Sequence, residues 1–404
     1  MRTVVTGIGV LAPNGVGTEP FWRGTLDGVS GIDRIGRFDA SAYPIQLAGE
    51  VDDFDAAEHI PNRLLPQTDR VTQMALAAAD WAVADAAIDP KRMNAFDMGV
   101  VTANSSGGFE FGQRELENLW GRGPDHVSAY QSFAWFYAVN TGQISIRHGM
   151  RGPGAVLVTE QAGGLDAVGH ARRQLRKGVR MALTGGIDSS MCPWAWVAHQ
   201  VSGGLSHSNN PEKAYLPFDH DANGYVTGEG GAIFVLETAE SAAARYPVRV
   251  YGEIAGYAAT FDSKVPGRPP GLRRAAELAL ADADLSPKDI DVVFADAAGQ
   301  PDLDKAEAEA ISGLFGPFGV PVTAPKTMTG RLFAGGASID LAAALMSVWD
   351  GVIPPTINVH NPNKEYELDL VLDQPRHQRV RAALVLARGR GGYNSAMVVC
   401  EYNR

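Results

Sequence analysis

The residues with the clearest chemical setting in this chain are Thr159-Glu160-Gln161. They follow an apolar run, Ala155 to Val158, that reads as a buried strand. They precede a helical pattern from Ala162 to Lys177 in which Leu165, Val168 and Ala171 share a face. A strand, a sharp polar turn and a helix N-terminus display a side chain where backbone N–H groups converge and the helix dipole favours developing negative charge. That is a common place for a nucleophile. Here the displayed residue is Gln161, whose carboxamide is not one. The setting is catalytic and the occupant is not.

Two other groupings invite a chemical reading and fail it. Asp219 to Gly231 has the look of a calcium-binding loop, but its twelfth position, where a bidentate glutamate is needed, is Gly230. Cys192 and Cys400, the only cysteines, are far apart and lack metal-ligand spacing, so they read as reduced, buried thiols. No metal site and no cofactor is expected.

The elements that must position Gln161 follow from the pattern. Val4 to Val10 reads as an opening strand broken by glycines, and Met98 to Ala103 as an apolar strand ending in the turn Asn104-Ser-Ser-Gly-Gly108. Gln67 to Ile88 repeats small and apolar residues at helical spacing, which points to a tightly packed internal helix. Phe109 to Trp120 and Ala129 to His148 read as helices, the second carrying Tyr130, Phe133, Trp135, Phe136 and Tyr137. Those aromatics suit a core, a subunit interface or a lined cavity. Arg180 to Thr184 reads as a strand, Gly185 to Asp188 as a turn, and Ala232 to Leu236 as a further strand. From Val248 the alternation restarts and closes with strands at Ala382 to Leu386 and Ser395 to Cys400. Alternating strands and helices in two halves of similar order imply a duplicated αβαβα sandwich, divided as residues 1–245 and 246–404.

The totals agree with a soluble, two-part α/β protein. At 404 residues the chain exceeds one ordinary core. A formal net charge of -11 argues against a general nucleic-acid binder while leaving room for a local basic patch. No apolar run reaches membrane-spanning length, and the expected location is the cytoplasm.

The Val156–Gly169 stretch resembles the nucleophile elbow of the β-ketoacyl synthases, condensing enzymes of the thiolase fold, with Gln161 where those enzymes carry a cysteine. Its Gln-Ala-Gly-Gly-Leu-Asp form is similar to the chain-length factors, the ketosynthase-beta subunits of bacterial type II aromatic polyketide synthases. The resemblance runs from Val4 to Met397. It implies a thiolase-like five-layer sandwich and allows the catalytic positions to be compared one at a time. The first histidine segment reads Ala295-Asp296-Ala297-Ala298-Gly299, with Asp304 and Glu307 at the family's offsets, so Asp296 stands in the histidine's place. The second reads Lys326-Thr327-Met328-Thr329-Gly330-Arg331, which puts Arg331 in the other's place. The C-terminal glycine-rich gate reads Gly389-Arg390-Gly391-Gly392 and lacks its aromatic residue. Arginine stays protonated and cannot act as a base, and an aspartate would repel a malonyl carboxylate. Lys326 and Glu307 are retained and fit a structural ion pair, and Asp296 and Arg331 can pair with each other.

The resemblance therefore implies a non-catalytic, shape-giving subunit. It would form a heterodimer with a ketosynthase-alpha subunit, served by an acyl carrier protein. The partner surface would centre on the Ala155–Val158 strand and the Ala129–His148 helix. The polyketide tunnel would be lined by Phe109, Gly112 and Leu116, with Phe133 and Trp194 as further wall residues. Small residues at 112 and 116 imply a tunnel longer than the octaketide class needs. Two other functions are compatible with the sequence: a malonyl-carrier decarboxylase that holds the enolate with Gln161, and a non-enzymatic homodimeric binding module. The first is weakened by the absence of both histidines, and the second has no positive sequence support.

Overall fold

Val4, Val5, Ile8 and Val10 alternate with small residues in β1 (Thr3–Ala12), a strand buried along its whole length. Burial of both faces marks a strand covered on either side. In the computed structural model, which describes residues 1–245, 249–263, 265 and 270–402, β1 sits near the middle of one continuous mixed sheet. The other strands of its half are β2 (Met98–Ala103), β3 (Gly154–Leu157), β4 (Met181–Asp188) and β5 (Gly230–Thr238). The second half supplies β6 (Gly252–Phe261), β7 (Val292–Phe294), β8 (Pro321–Thr323), β9 (Asp369–Leu370), β10 (Ala382–Gly389) and β11 (Tyr393–Cys400).

Outward from the join, the order is β1-β5-β4-β2-β3 in the first half and β6-β11-β10-β7-β8 in the second, with β9 added beyond β8. Both halves thus place their strands in the same chain-rank order, and both mix parallel and antiparallel neighbours in the same places. The halves meet where β1 pairs antiparallel with β6, Val4 opposite Glu253 and Val5 opposite Gly252.

Helices fill three layers. α1 (Arg70–Asp85), capped by the Asp69 carboxylate, covers the outer face of the first half together with α3 (Val139–His148). α6 (Leu272–Asp282) and α7 (Pro301–Phe315) cover the outer face of the second. Between the two halves of the sheet lie α4 (Gly163–Arg176) and α8 (Ala334–Asp350), each packing on strands of both halves. These two central helices approach so closely that a Cβ on Gly164 would lie 2.4 Å from Ser338 Oγ and 2.8 Å from the Ala334 carbonyl. Glycine at 164 is what lets the middle layer close. The result is the duplicated five-layer α/β sandwich that the alternation implied.

Four local readings need correction. The Ala129–His148 segment is not one helix: a single turn at Gln131–Ala134 and α3 flank an irregular aromatic stretch, in which the Trp135 carbonyl accepts from Gly108 N at 3.0 Å. Gly185 to Asp188 is not a turn but the second half of β4, because it finds strand partners in β2 and β5. The β3 strand is half-buried rather than buried, since it lies at the sheet's edge. The second half's alternation was expected to restart at Val248. The observed strand starts at Gly252, and residues 246–248, where the boundary between the halves was drawn, lie outside the described residues.

The free edge of β3 adjoins a band of exposed apolar side chains. Val158 follows it directly. Trp194, Val197 and Val201 are exposed at helical spacing on α5 (Pro193–Ser202), as are Trp135, Phe136 and Tyr137 in the aromatic stretch. α2 (Phe109–Arg122) adds Leu116 and Trp120. Single exposed apolar residues are ordinary, whereas many together beside an open strand edge mark an association surface.

Candidate functional site

The turn between β3 and α4 holds Gln161 as the sequence suggested, just before the first turn of a buried helix. Its side chain is 3% exposed and is not directed into open space. The carboxamide lies along the Phe333 main chain; turned so that both its ends are satisfied, its nitrogen donates to Phe333 O and its oxygen accepts from Phe333 N, each at 3.2 Å. A Cβ on Gly336 would meet the end of this amide at 2.5 Å. Gln161 therefore works as a packed, doubly bonded bridge from the elbow to the start of α8.

Its neighbour faces the cavity instead. Glu160 has a left-handed backbone, φ 51°, and helps line a cleft of about 390 Å³ with Tyr225, Asp296, Arg331, Arg390 and Tyr393. Gln161 is not part of that lining. Burial pushes the Glu160 carboxyl above its ordinary range, opposed by the Arg331 charge and by backbone N–H bonds.

At the floor of the cleft Asp296 and Arg331, 2% and 5% exposed, form the ion pair expected of them, Nη2 to Oδ1 at 3.0 Å. Asp296 also accepts from Arg388 N at 2.8 Å and from Arg388 Nε at 3.3 Å. Burial alone would raise the Asp296 carboxyl, but Arg331, then Arg388 and Lys326, outweigh it and hold it at about 2. Arg331 is shifted well upward by Asp296 despite its own burial. Neither group exchanges a proton at neutral pH.

Lys326 and Glu307 are both buried but are not each other's partners, contrary to the simple pairing suggested by their types. Lys326 Nζ reaches Asp340 at 2.7 Å and the carbonyls of Ala295 and Asp296 at 2.6 and 2.9 Å. Glu307 instead accepts the Asp296 and Ala297 N–H groups at 2.7 and 2.8 Å, with Arg388 at 3.5 Å. Three buried cations (Lys326, Arg331, Arg388) thus face three buried carboxylates (Asp296, Glu307, Asp340). Arg388 and Asp340 escaped the sequence reading. The available signal was a lone charge inside an otherwise apolar strand and helix, since such residues are rarely buried without a partner.

The tunnel candidates lie elsewhere: Leu116 and Trp194 are exposed, Phe109 and Phe133 are half-buried, and Gly112 is buried. The Phe109 and Trp194 rings are in tilted contact, 4.7 Å between centroids and 34° between planes. A Cβ on Gly112 would lie 3.4 Å from the Trp194 ring, so indole fills the room the glycine leaves. Trp194 N donates to Gln113 Oε1 at 2.8 Å, tying α5 to α2. Leu116 is 37% exposed one turn further on. Phe133 is set apart in the Gln131–Ala134 turn, edge-on to Tyr130 at 6.0 Å. None of these five residues lines the Asp296–Arg331 cleft.

Phe333, which holds Gln161, is also stacked on the His199 ring at 4.9 Å, and His199 Nε2 lies 2.9 Å from Ser190 Oγ. Burial lowers His199 to about 4. A histidine with a folded pKa below its unfolded one contributes stability that is present above about 6.5 and lost as pH falls through about 4. Acidification across that window is expected to cost on the order of 3 kcal/mol through this group. Urea unfolding at a series of pH values should show the slope, and His199→Gln should flatten it.

Among the described residues no cluster of histidine, cysteine and carboxylate side chains could hold a metal ion, and no helix is long and apolar enough to cross a membrane. The Asp219–Gly231 loop accordingly forms no such cluster, and both cysteines are free.

Comparison with known proteins fits this geometry. Residues 1–242 match the model of the β-ketoacyl synthase N-terminal domain and residues 251–360 that of its C-terminal domain. The tetracenomycin polyketide synthase ketoacyl synthase beta subunit of Streptomyces glaucescens is 62% identical, over 98% of this chain and 97% of its own. The actinorhodin polyketide putative beta-ketoacyl synthase 2 of Streptomyces coelicolor is 58% identical over 100% and 99%. Among solved structures, the ishigamide ketosynthase/chain length factor superposes with a TM-score of 0.90 at 30% identity, covering 100% of this chain and 99% of that one. A type II polyketide synthase acyl-carrier protein in complex with its hexaketide-bound ketosynthase gives 0.89 at 27%, covering 99% of each chain.

Proposed function

The chain belongs to the β-ketoacyl synthase family as a ketosynthase beta subunit, or chain-length factor, of a type II polyketide synthase, and we propose that it works there without chemistry of its own. Its role in this reading is to pair with a ketosynthase-alpha subunit, complete the tunnel that receives the growing poly-β-ketone, and help set the length at which growth stops. An acyl carrier protein supplies malonyl units and carries the chain. Two solved relatives, named as a ketosynthase/chain length factor and as a carrier protein bound to its ketosynthase, support these partners.

The observation that carries the reading is the Asp296–Arg331 pair. Condensation needs a nucleophile to hold the acyl chain and neutral bases or acids to manage the malonyl carboxylate. The positions that resemble the two histidines hold a carboxylate kept ionised and an arginine kept protonated, locked together at 3.0 Å. The Gln161 amide is occupied by the Phe333 main chain, which also speaks against the decarboxylase alternative, since a carboxamide must be free to hold an enolate. The exposed band beside β3 supports a large partner surface and favours an obligate heterodimer over a free-standing module. Co-expression with and without the ketosynthase tests this: the chain should be soluble and of defined size only with its partner, and a well-behaved monomer alone would count against it.

Gln161→Ala should leave polyketide output within a few-fold of the parent, while removal of the partner's cysteine should abolish it. Product assays on the reconstituted synthase decide between the two roles. Loss of chain initiation in Gln161→Ala, even when acetyl primer is supplied, would add a catalytic duty to the scaffold.

A further inference from the structure

The helix α2 begins without a cap of its own. Gly108 stands at its N-cap position and offers no side chain, so the N–H groups of the first turn must find acceptors elsewhere. One of them, Phe111 N, donates to Asp69 Oδ2 at 2.7 Å, across 42 residues of sequence. The other oxygen of the same carboxylate, Oδ1, accepts from Val71 N at 2.9 Å and caps α1. A single carboxylate, 2% exposed, thus closes two helix N-termini, where both dipoles favour its charge. Its depth is costly: burial pushes the Asp69 carboxyl up to about 7, opposed by the Phe111 and Val71 N–H bonds. Asp55 and Asp89, which cap one short helical turn each, are exposed. A cap for one helix can stay in water as those do, whereas a cap shared by two must lie between them. A second tether holds the same turn of α2. Arg37 Nη2 reaches Glu110 Oε2 at 2.6 Å, and its Nη1 lies 3.8 Å from the buried Glu229, which Arg70 holds at 2.9 Å.

We propose that Asp69 and Arg37 are positioning residues for product length: they fix the first turn of α2, and with it the placement of Phe109 and Gly112 against the Trp194 ring. This rests on the reading that those three residues belong to the tunnel wall. The tethered residues, Glu110 and Phe111, stand between Phe109 and Gly112 in the sequence, so a turn held at the first pair is held at the second. The fit is close, with 4.7 Å between the Phe109 and Trp194 ring centroids and 3.4 Å from a Cβ on Gly112 to the indole. A wall selects one length only if it stays in place while a chain presses on it. Asp69 and Arg37 act through the α2 main chain and the Glu110 carboxylate, outside the five wall residues. Loosening them should leave the partner's chemistry intact and make the stopping point less sharp.

The test reads the lengths of the polyketides released by the reconstituted heterodimer and its carrier protein, by mass spectrometry, beside total yield. Asp69→Ser keeps a hydroxyl for Val71 N, serine being a preferred N-cap, and gives up the second oxygen that Phe111 N needs. The ratio of off-length to main-length chains should rise about tenfold, the factor for losing a hydrogen bond to an ionised acceptor. Total yield should stay within a few-fold of the parent. Arg37→Gln should raise the same ratio by less. Ala79→Gly, about three turns further along α1, weakens that helix and leaves both tethers in place. It should lower the urea midpoint of the heterodimer without moving the ratio, which separates positioning from stability. If Asp69→Ser does not assemble, Arg37→Gln carries the comparison, because Arg37 is partly exposed and takes no part in capping α1. An unchanged ratio in the assembled variant, or an equal rise in Ala79→Gly, overturns the proposal. Gly112→Thr/Leu116→Phe in the same assay separates this from the wall itself. A shortened product there beside an unchanged ratio removes the tethers alone, whereas no effect from any variant removes the wall as well.

Discussion

Replacing Arg331 with alanine is expected to cost roughly 3–5 kcal/mol, the usual loss when one member of a buried pair is removed and the other charge stays behind. Asp296 would remain 2% exposed, with Glu307 and Asp340 close by in the same network. Arg388 would still reach Asp296 at 3.3 Å, so the lower end of that range applies if Arg388 can take up the released geometry. A domain has only about 5–15 kcal/mol of stability in total, so the heterodimer should unfold at a clearly lower urea concentration. Asp296→Leu/Arg331→Met, which removes both charges, should recover much of the loss, because a buried pair is often replaceable by packed apolar side chains. Urea unfolding of the heterodimer provides the comparison. A single mutant as stable as the parent would mean that the pair is not the buried anchor described above.

The second large effect concerns product length. Phe109, Gly112 and Leu116 are on α2 at helical spacing, and the Trp194 ring lies against the first two of them. The resemblance implies that this wall limits the chain, with room for products longer than octaketides. Gly112→Thr with Leu116→Phe puts a ring on the exposed turn of α2. The threonine also pushes against an indole already 3.4 Å from the position of its Cβ. The main product should shorten by at least one two-carbon unit while total turnover falls little, because the partner's chemistry is untouched. Leu116→Phe alone should give a smaller shift in the same direction, since Trp194 keeps its place. Mass spectrometry of the released polyketides reads this directly, and unchanged lengths at normal yield would remove these positions from the tunnel wall.

Much of this architecture was legible because burial writes itself into residue type. Met98–Ala103 was readable to the residue, being an apolar run closed by a polar glycine turn. The Ala-rich pattern of α1 and the small residues of α4 likewise declared helices packed at close range. Gly185 to Asp188 was misread because paired glycines look like a turn in isolation. Only the neighbouring strands β2 and β5 hold them extended. The aromatic stretch misled for the opposite reason: its side chains suit a helix, but the chain between Trp135 and Ala138 bends to bond the start of α2. In the site, the Asp296–Arg331 pair followed from charge alone. The task of Asp69 did not follow from its type, because it depends on an N–H group 42 residues away that only the fold brings within reach.

In the proposed function this chain shapes the reaction without performing any of it. The most direct measurement is malonyl-acyl carrier decarboxylation by a heterodimer in which the partner's cysteine and both its histidines have been replaced, so that only this chain could act. The expected rate is that of the carrier substrate in buffer, and it should be the same for the parent chain and for Gln161→Ala. Decarboxylation well above that background, lost in Gln161→Ala, would contradict the claim and make this subunit an enzyme.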